Sequence, residues 1–448
     1  MIKVLCHVGP WCLEQFRVIA QNIDKDVDVK FISLFRELDE TNISSLIKAN
    51  GLELSNNSSV IESQETILRC RLLRSLSSTK AEVIEHATRS VIGQILDDYH
   101  PDVFISESVD QYFHDILFQE CEKRDIKSIG LIRTFLNGYY RFSKRGEFCR
   151  TRQVQEVEVK KALGMLLDND YIPSNLIKLK HSLTITYLKI MLSNVLRVVW
   201  FYTLTRLPRF ELSYHHHVSW KNTLEEYLHF LPIRDIGKSN WNELLHKEKK
   251  TVFIPLQHFP EATIDYWTSD VSDIRYLETL VDFIRDHADR YNILIKEHPG
   301  VWGYRKPEFY KRLKKASKNI IFAPVSELSN NCLTKSDAVL TYTGTIGFEA
   351  ILRGIPVLSF TESYYSSFSQ RLFTLIKTDE SYITIDNAIS QRGITSSEQE
   401  YIISQLLSGF NKGFFRNDGS FDVTNPSHVS EAENIGRDIG IFLANKNF

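Results

Sequence analysis

A chain of 448 residues is long enough for two or three domains with full cores. Its formal net charge of −2 argues against a protein that seeks nucleic acid through bulk charge. Hydrophobic residues at 43% and charged residues at 25% are ordinary for a soluble globular protein. The six cysteines (Cys6, Cys12, Cys70, Cys121, Cys149, Cys332) are scattered, and no pair has zinc-site spacing. No signal peptide precedes Met1-Ile2-Lys3-Val4, so a reduced, cytoplasmic protein is predicted.

The chain opens with a predicted strand over residues 2–7 that runs into Val8-Gly9-Pro10-Trp11 and a helix to about 23. Residues 29–33 form a second strand, and a helix over about 80–99 ends before Pro101. A strand at 102–106 follows, then Glu107-Ser108-Val109-Asp110, a helix to about 123 and a strand at 128–132. Strands alternating with helices imply a parallel, doubly wound α/β sheet, in which ligands sit beyond the carboxyl ends of strands. His7, Gly9, Glu107, Asp110 and Arg133 fall there. Glu107 and Asp110 are the best candidates for a general base in this half, against the plainer reading that one of them caps the next helix. A lone histidine such as His7 is more often structural.

Residues 139–250 have another character. The stretch 171–210 contains no Asp or Glu but carries Lys178, Lys180, Lys189, Arg197, Arg206 and Arg209 around an apolar centre. Cations within that centre argue against a spanning helix. An amphipathic helix at an anionic membrane surface and a core or inter-domain helix with a solvated basic face both fit. His215-His216-His217 has no partner at metal-ligand spacing and reads as loop or surface.

At Lys249-Lys250 a second alternating unit begins. A strand at 251–256 leads to Gln257-His258-Phe259-Pro260-Glu261-Ala262-Thr263, and a helix spans about 273–288. The strand at 292–295 ends in Lys296-Glu297-His298-Pro299, and a helix near 307–317 leads to a strand at 320–323. The strand at 338–340 then turns at Thr343-Gly344-Thr345 into a helix over about 346–353, closed by Gly354 and Pro356. That turn leaves backbone N–H groups and two hydroxyls at a helix N-terminus, which favours a phosphate. Glu349, four residues after Thr345, lies on roughly the same helix face and could accept hydrogen bonds from a ribose. Three successive strand ends thus carry polar groups suited to phosphate or sugar. Glu261 is a third candidate for the chemistry, unless it only stabilises the first turn of a helix.

Together these motifs, over about 251–360, resemble the bacterial capsule polysaccharide biosynthesis family. The carriers are His258 to Thr263, Lys296-Glu297-His298-Pro299, and Thr343-Gly344-Thr345-Ile346-Gly347-Phe348-Glu349-Ala350 with Gly354-Ile355-Pro356-Val357. The resemblance implies two Rossmann-like domains of the GT-B type with a cleft between them and a helical insertion. It also implies a glycosyltransferase with donor motifs like those of Kdo- and sialyltransferases. His298 would bind the donor phosphate beside Thr343, Gly344 and Thr345, with His258 and Lys296 at the same corner, and Glu349 would hold the ribose. Cytidine monophosphate is the first donor expected. With no Asp-X-Asp motif in a matching place, departure of the phosphate without a divalent metal is expected, and no cofactor beyond the nucleotide-sugar co-substrate. The acceptor would be a surface polysaccharide or a lipid-linked glycan; nucleic acid is no partner. The expected division is an acceptor domain at 1–150, a helical insertion at 151–248, a donor domain at 249–390, and helices at 391–448 that return to the first domain. A polyol-phosphate transferase with a cytidine-diphosphate donor, or a non-catalytic scaffold of polysaccharide assembly, are the alternatives.

Overall fold

The computed structural model describes residues 1–34, 40–54, 64–168, 171, 185, 188, 189, 192, 196, 236–258, 261–298 and 305–444. The histidine tract, Phe259, Pro260, Pro299 and most of 171–210 lie outside them.

Two six-stranded sheets organise the chain. In the first, β1 (Ile2–His7), β2 (Val27–Ile32), β3 (Val103–Glu107) and β4 (Lys127–Arg133) run parallel in the order β2-β1-β3-β4. The edge beyond β4 is antiparallel: β5 (Tyr139–Phe142) pairs with β4, and the two-residue β12 (Asn411–Lys412) pairs with β5. The second sheet is parallel throughout. Its strands are β6 (Thr251–Pro255), β7 (Asn292–Lys296), β8 (Ile320–Ala323), β9 (Ala338–Thr341), β10 (Val357–Ser359) and β11 (Phe373–Leu375), in the order β11-β10-β9-β6-β7-β8. The α/β class and the two parallel-sheet units stand as expected.

The apolar runs become parallel strands because both of their faces are covered. In β6, Val252 and Ile254 enter one core cluster and Phe253 another. In β1, Leu5 faces one cluster while Val4 and Cys6 face a second. Each sheet reverses its winding direction once, between β1 and β3 and between β6 and β9. Such switch points open a crevice at the strand ends. His7 and Glu107 end one pair of strands; His258 and Thr343 follow the other.

Three features tie the units together. The short helix Ala262–Asp265, on the loop after β6, puts Ala262 and Tyr266 into the core of the first unit. There the fully buried Asp265 pairs with Arg74 at 2.8 Å and Arg71 at 3.3 Å, and Arg69 Nη1 donates to its carbonyl at 3.0 Å. Helix Ser396–Ser408 packs on helix Glu156–Leu167 and shares its core with the second sheet. The chain then crosses back, with Thr151 and Arg152 amides donating to Ser408 O at 2.7 and 3.1 Å. Helix Pro426–Ala444 lies along helix Leu13–Gln21. The approach is close enough that a Cβ on Gly436 would stand 2.4 Å from Ile19 O, and one on Gly440 2.2 Å from Ile23 O.

Candidate functional site

Glu107 ends β3 at the first switch point, half-buried. Its Oε2 accepts from Trp11 Nε1 at 2.9 Å, and Cys12 Sγ stands 3.8 Å away. Burial pushes the carboxyl up to about 7, opposed by Trp11 and Asn417 and reinforced by the nearby charge of Asp110. Near neutral pH it is therefore divided between acid and carboxylate, the condition a general base needs. Asp110 is a different group. Its side chain is 51% exposed and ion-paired with Arg71, which also reaches Asp265. His7 is buried, with its Nδ1 2.7 Å from His114 Nε2, and burial lowers both imidazoles, His114 to about 4. This pair is neutral at physiological pH.

At the second switch point His258 and His298 project from the ends of β6 and β7, with ring centroids 6.0 Å apart. Burial holds His258 down at about 4 and His298 at about 3, aided by cationic neighbours that include Arg305. Both are neutral N–H donors. Behind them Glu297 is buried and carries the loop: its Oε1 accepts from the His298 amide at 2.6 Å, its Oε2 from Arg305 Nε at 2.7 Å and from Tyr310 Oη. Arg305 also donates to Gln257 O, so it joins the loops after β6 and β7. Truncating Arg305 leaves a buried carboxylate without its cation, and Arg305→Ala is expected to cost about 3–5 kcal/mol, read as a lower denaturant midpoint.

Gln257 is the second tie. Its Oε1 accepts from the Tyr342 amide at 3.1 Å, and its Nε2 donates to Thr343 Oγ1 at 3.3 Å. The Thr343 hydroxyl donates in turn to Thr263 O at 2.7 Å. Its side chain is thus committed to holding the loops after β6 and β9 together. Gly344 caps helix Thr345–Leu352, and its carbonyl accepts from Tyr365 Oη at 2.8 Å. Thr345 begins the helix half-buried, and Glu349 lies one turn further in, its carboxyl raised by burial against the pull of Arg353. Gly354, at φ +70°, supplies the left-handed residue just past the helix end, as its sequence position predicts.

Glu261 precedes helix Ala262–Asp265 and accepts from Thr263 Oγ1 at 2.8 Å. Burial pushes it up to about 7, and Asp110 adds to the shift. Arg71 pairs with both Asp110 and Asp265, and Trp267 Nε1 donates to Val109 O at 3.4 Å, so the segment after β3 and the loop after β6 are held together. Lys296 lies beneath this grouping, and its charge helps to hold the His298 imidazole down. It is 5% exposed, its Nζ 3.4 Å from Glu297 O, on the strand face that also carries Leu294, and its charge is felt by Cys332. The residues that sequence reasoning missed are the partners: Trp11, Arg71, Gln257, Arg305 and Asn417. Only Trp11, beside the glycine turn after β1, carried a local signal. Among the described residues, no group of three or more His, Cys, Asp or Glu is placed to hold a metal ion.

Fold and site define a two-unit α/β protein whose polar strand ends converge on an inter-domain cleft. Residues 204–368 match the model of the family described as "Capsule polysaccharide biosynthesis protein", a stretch that includes the three motif-carrying strand ends. No curated protein matches the chain. Among solved structures, the Thermosulfurimonas dismutans KpsC, a beta Kdo 2,7 transferase, is similar at 13% identity over 94% of both chains, with a TM-score of 0.38. The Neisseria meningitidis UDP-GlcNAc 2-epimerase bound to UDP-GlcNAc is similar at 12% identity over 91% of this chain and 98% of that one, with a TM-score of 0.27. Likenesses of this size bear on neither activity nor ligand.

Proposed function

We propose that the protein is a glycosyltransferase of the GT-B arrangement. It would move a sugar from a nucleotide-sugar donor, cytidine-monophosphate-linked first, to a surface polysaccharide or lipid-linked acceptor. The observation that carries this reading is that the segment after β3, which follows Glu107, is tied to the loop after β6, which carries His258: Arg71 bridges Asp110 and Asp265, Trp267 Nε1 donates to Val109 O at 3.4 Å, and the His258 ring lies 6.0 Å from that of His298. In the reaction the acceptor oxygen bonds to the anomeric carbon, and the bond from that carbon to the phosphate oxygen breaks. The nucleotide leaves with the electron pair, and the acceptor proton passes to Glu107. His258 and His298 donate hydrogen bonds to the departing phosphate, assisted by the first amides of helix Thr345–Leu352. Glu349 holds the ribose. Glu261, with its raised carboxyl beside Asp110, serves the donor sugar. Calorimetric titration with CMP, CDP, UDP and GDP tests the reading: one nucleotide binds, and a folded sample that binds none overturns it.

The membrane contact belongs to the same reading. Ile185, Leu188, Leu192 and Leu196 are helical and exposed by 47, 50, 59 and 60%, with Lys189 among them. Spacings of three and four are those of residues that share a face where a chain is helical. Among the described residues no helix is long and apolar enough to cross a membrane. The helix would instead lie on an anionic surface. The full chain is expected to float with vesicles containing phosphatidylglycerol and to lose flotation when Leu188, Leu192 and Leu196 become Ser.

A further inference from the structure

A cavity of about 620 Å³ opens beside the switch-point cleft, reached past Thr343 and bounded by the loop after β5 and the segment between β10 and β11. Its volume is that of a small-molecule site. Phe148, Trp267 and Tyr364 give it aromatic walls, and behind them the buried Arg141 guanidinium stands 4.6 Å from the Tyr364 ring and 5.9 Å from that of Trp267. The aromatic surfaces are therefore fixed before any ligand arrives.

The polar lining decides what the cavity accepts. The two charged side chains that line the cavity from the β5 loop are already engaged: Arg145 with Asp115, and Glu147 with the amides of Lys144 and Arg145 and the Ser143 hydroxyl. The groups that line the cavity without a hydrogen-bond partner among the described residues are the Glu362 carboxylate, the Ser367 hydroxyl and the Gln370 amide, all exposed. A site whose uncommitted groups are one carboxylate and two neutral donor–acceptors, with the Arg145 guanidinium already paired to Asp115, disfavours phosphate. It suits a neutral ring with hydroxyls around its rim and a C–H face to lay on an aromatic wall.

We infer that this cavity binds a neutral pyranose ring of a glycan. That the ring belongs to the acceptor rests on the transferase reading above; that the cavity takes a sugar does not. The test is saturation-transfer NMR on the full chain with a panel of methyl hexopyranosides, run beside nucleotide calorimetry on the same samples. At least one glycoside should receive transfer at its ring protons. Its affinity should fall by about tenfold, the scale of two lost hydrogen bonds, in the Ser367→Ala/Gln370→Ala variant. Both residues are exposed, so the fold survives the change. Glu362→Gln, which keeps the shape of the rim and removes the carboxylate acceptor, should weaken the same glycoside with no change at the nucleotide. Transfer to none of the glycosides, or transfer unaltered in both variants, overturns the inference. So does a variant that loses nucleotide instead, since the cavity would then belong to the donor. Glycoside transfer in a protein that binds no nucleotide upholds the cavity and removes the transferase reading.

Discussion

Glu107→Gln lowers the transfer rate by about 10²–10⁴-fold, the contribution of a positioned general base, and leaves nucleotide binding in place. The substitution is isosteric. Trp11 Nε1 can still donate to the oxygen that replaces Glu107 Oε2, so the loss falls on proton transfer rather than on the fold. The pH profile carries a second signature. Burial sets the Glu107 carboxyl at about 7, so the wild-type rate rises as pH increases through that value and the carboxylate appears. In the variant that limb vanishes. Stability runs the other way. The folded carboxyl lies above its unfolded value, so the unfolded chain loses its proton first and stability falls between about pH 4.5 and 7. Glu107→Gln removes that penalty, and melting curves should place the variant closer to wild type, or above it, at pH 8 than at pH 5. A wild-type rate flat between pH 6 and 8 would remove Glu107 from the role of base.

His298→Ala weakens the bound nucleotide by about 1.5–3 kcal/mol, roughly 10–150-fold in Kd, the scale of a hydrogen bond to a charged group. Burial keeps the ring neutral, so its part is to donate an N–H rather than to pair as a cation. His298→Gln, which retains an amide donor, should lose less than His298→Ala. The network beneath is untouched by either change, because Glu297 holds the backbone amide of residue 298 and not its ring. Calorimetry separates the effects: an unchanged isotherm in a variant with an unchanged melting curve assigns the phosphate elsewhere.

Much of this architecture is legible in the chain, and the reason is local. Runs such as Val103–Glu107 and Asn292–Lys296 are short, apolar and bounded by Pro, Gly or charged turns. Their alternation with helices leaves one arrangement, and the polar residues at their ends follow from the same pattern. What escapes the pattern is long-range. Trp11 meets Glu107 across 96 residues, and Gln257 meets Thr343 across 86. No periodicity couples such pairs. The antiparallel edge is missed because β12 has two residues, too few for any alternation to register. The return crossing is read from about 391, whereas helix Ser396–Ser408 stays with the second sheet and the chain crosses only after it.

That late crossing governs the order in which the protein can be finished on the ribosome. The layer over one face of the first sheet is completed by Phe415, Ala432, Ile435 and Ile439, which pack with Phe16, Ile19 and Ala20 and with Val4, Cys6, Val103 and Ile105 in one cluster. Between synthesis of Phe142 and of Ile439, at roughly 5–20 residues per second, roughly 15–60 s pass. Throughout that time this face of the nascent first domain is covered by Phe16, Ile19 and Ala20 of helix Leu13–Gln21 alone, and the part that helix Pro426–Ala444 will cover stays open to chaperones and to other chains. Folding from the N-terminus forward, the usual course for a multidomain chain, is closed to it: the domain begun first is the one completed last.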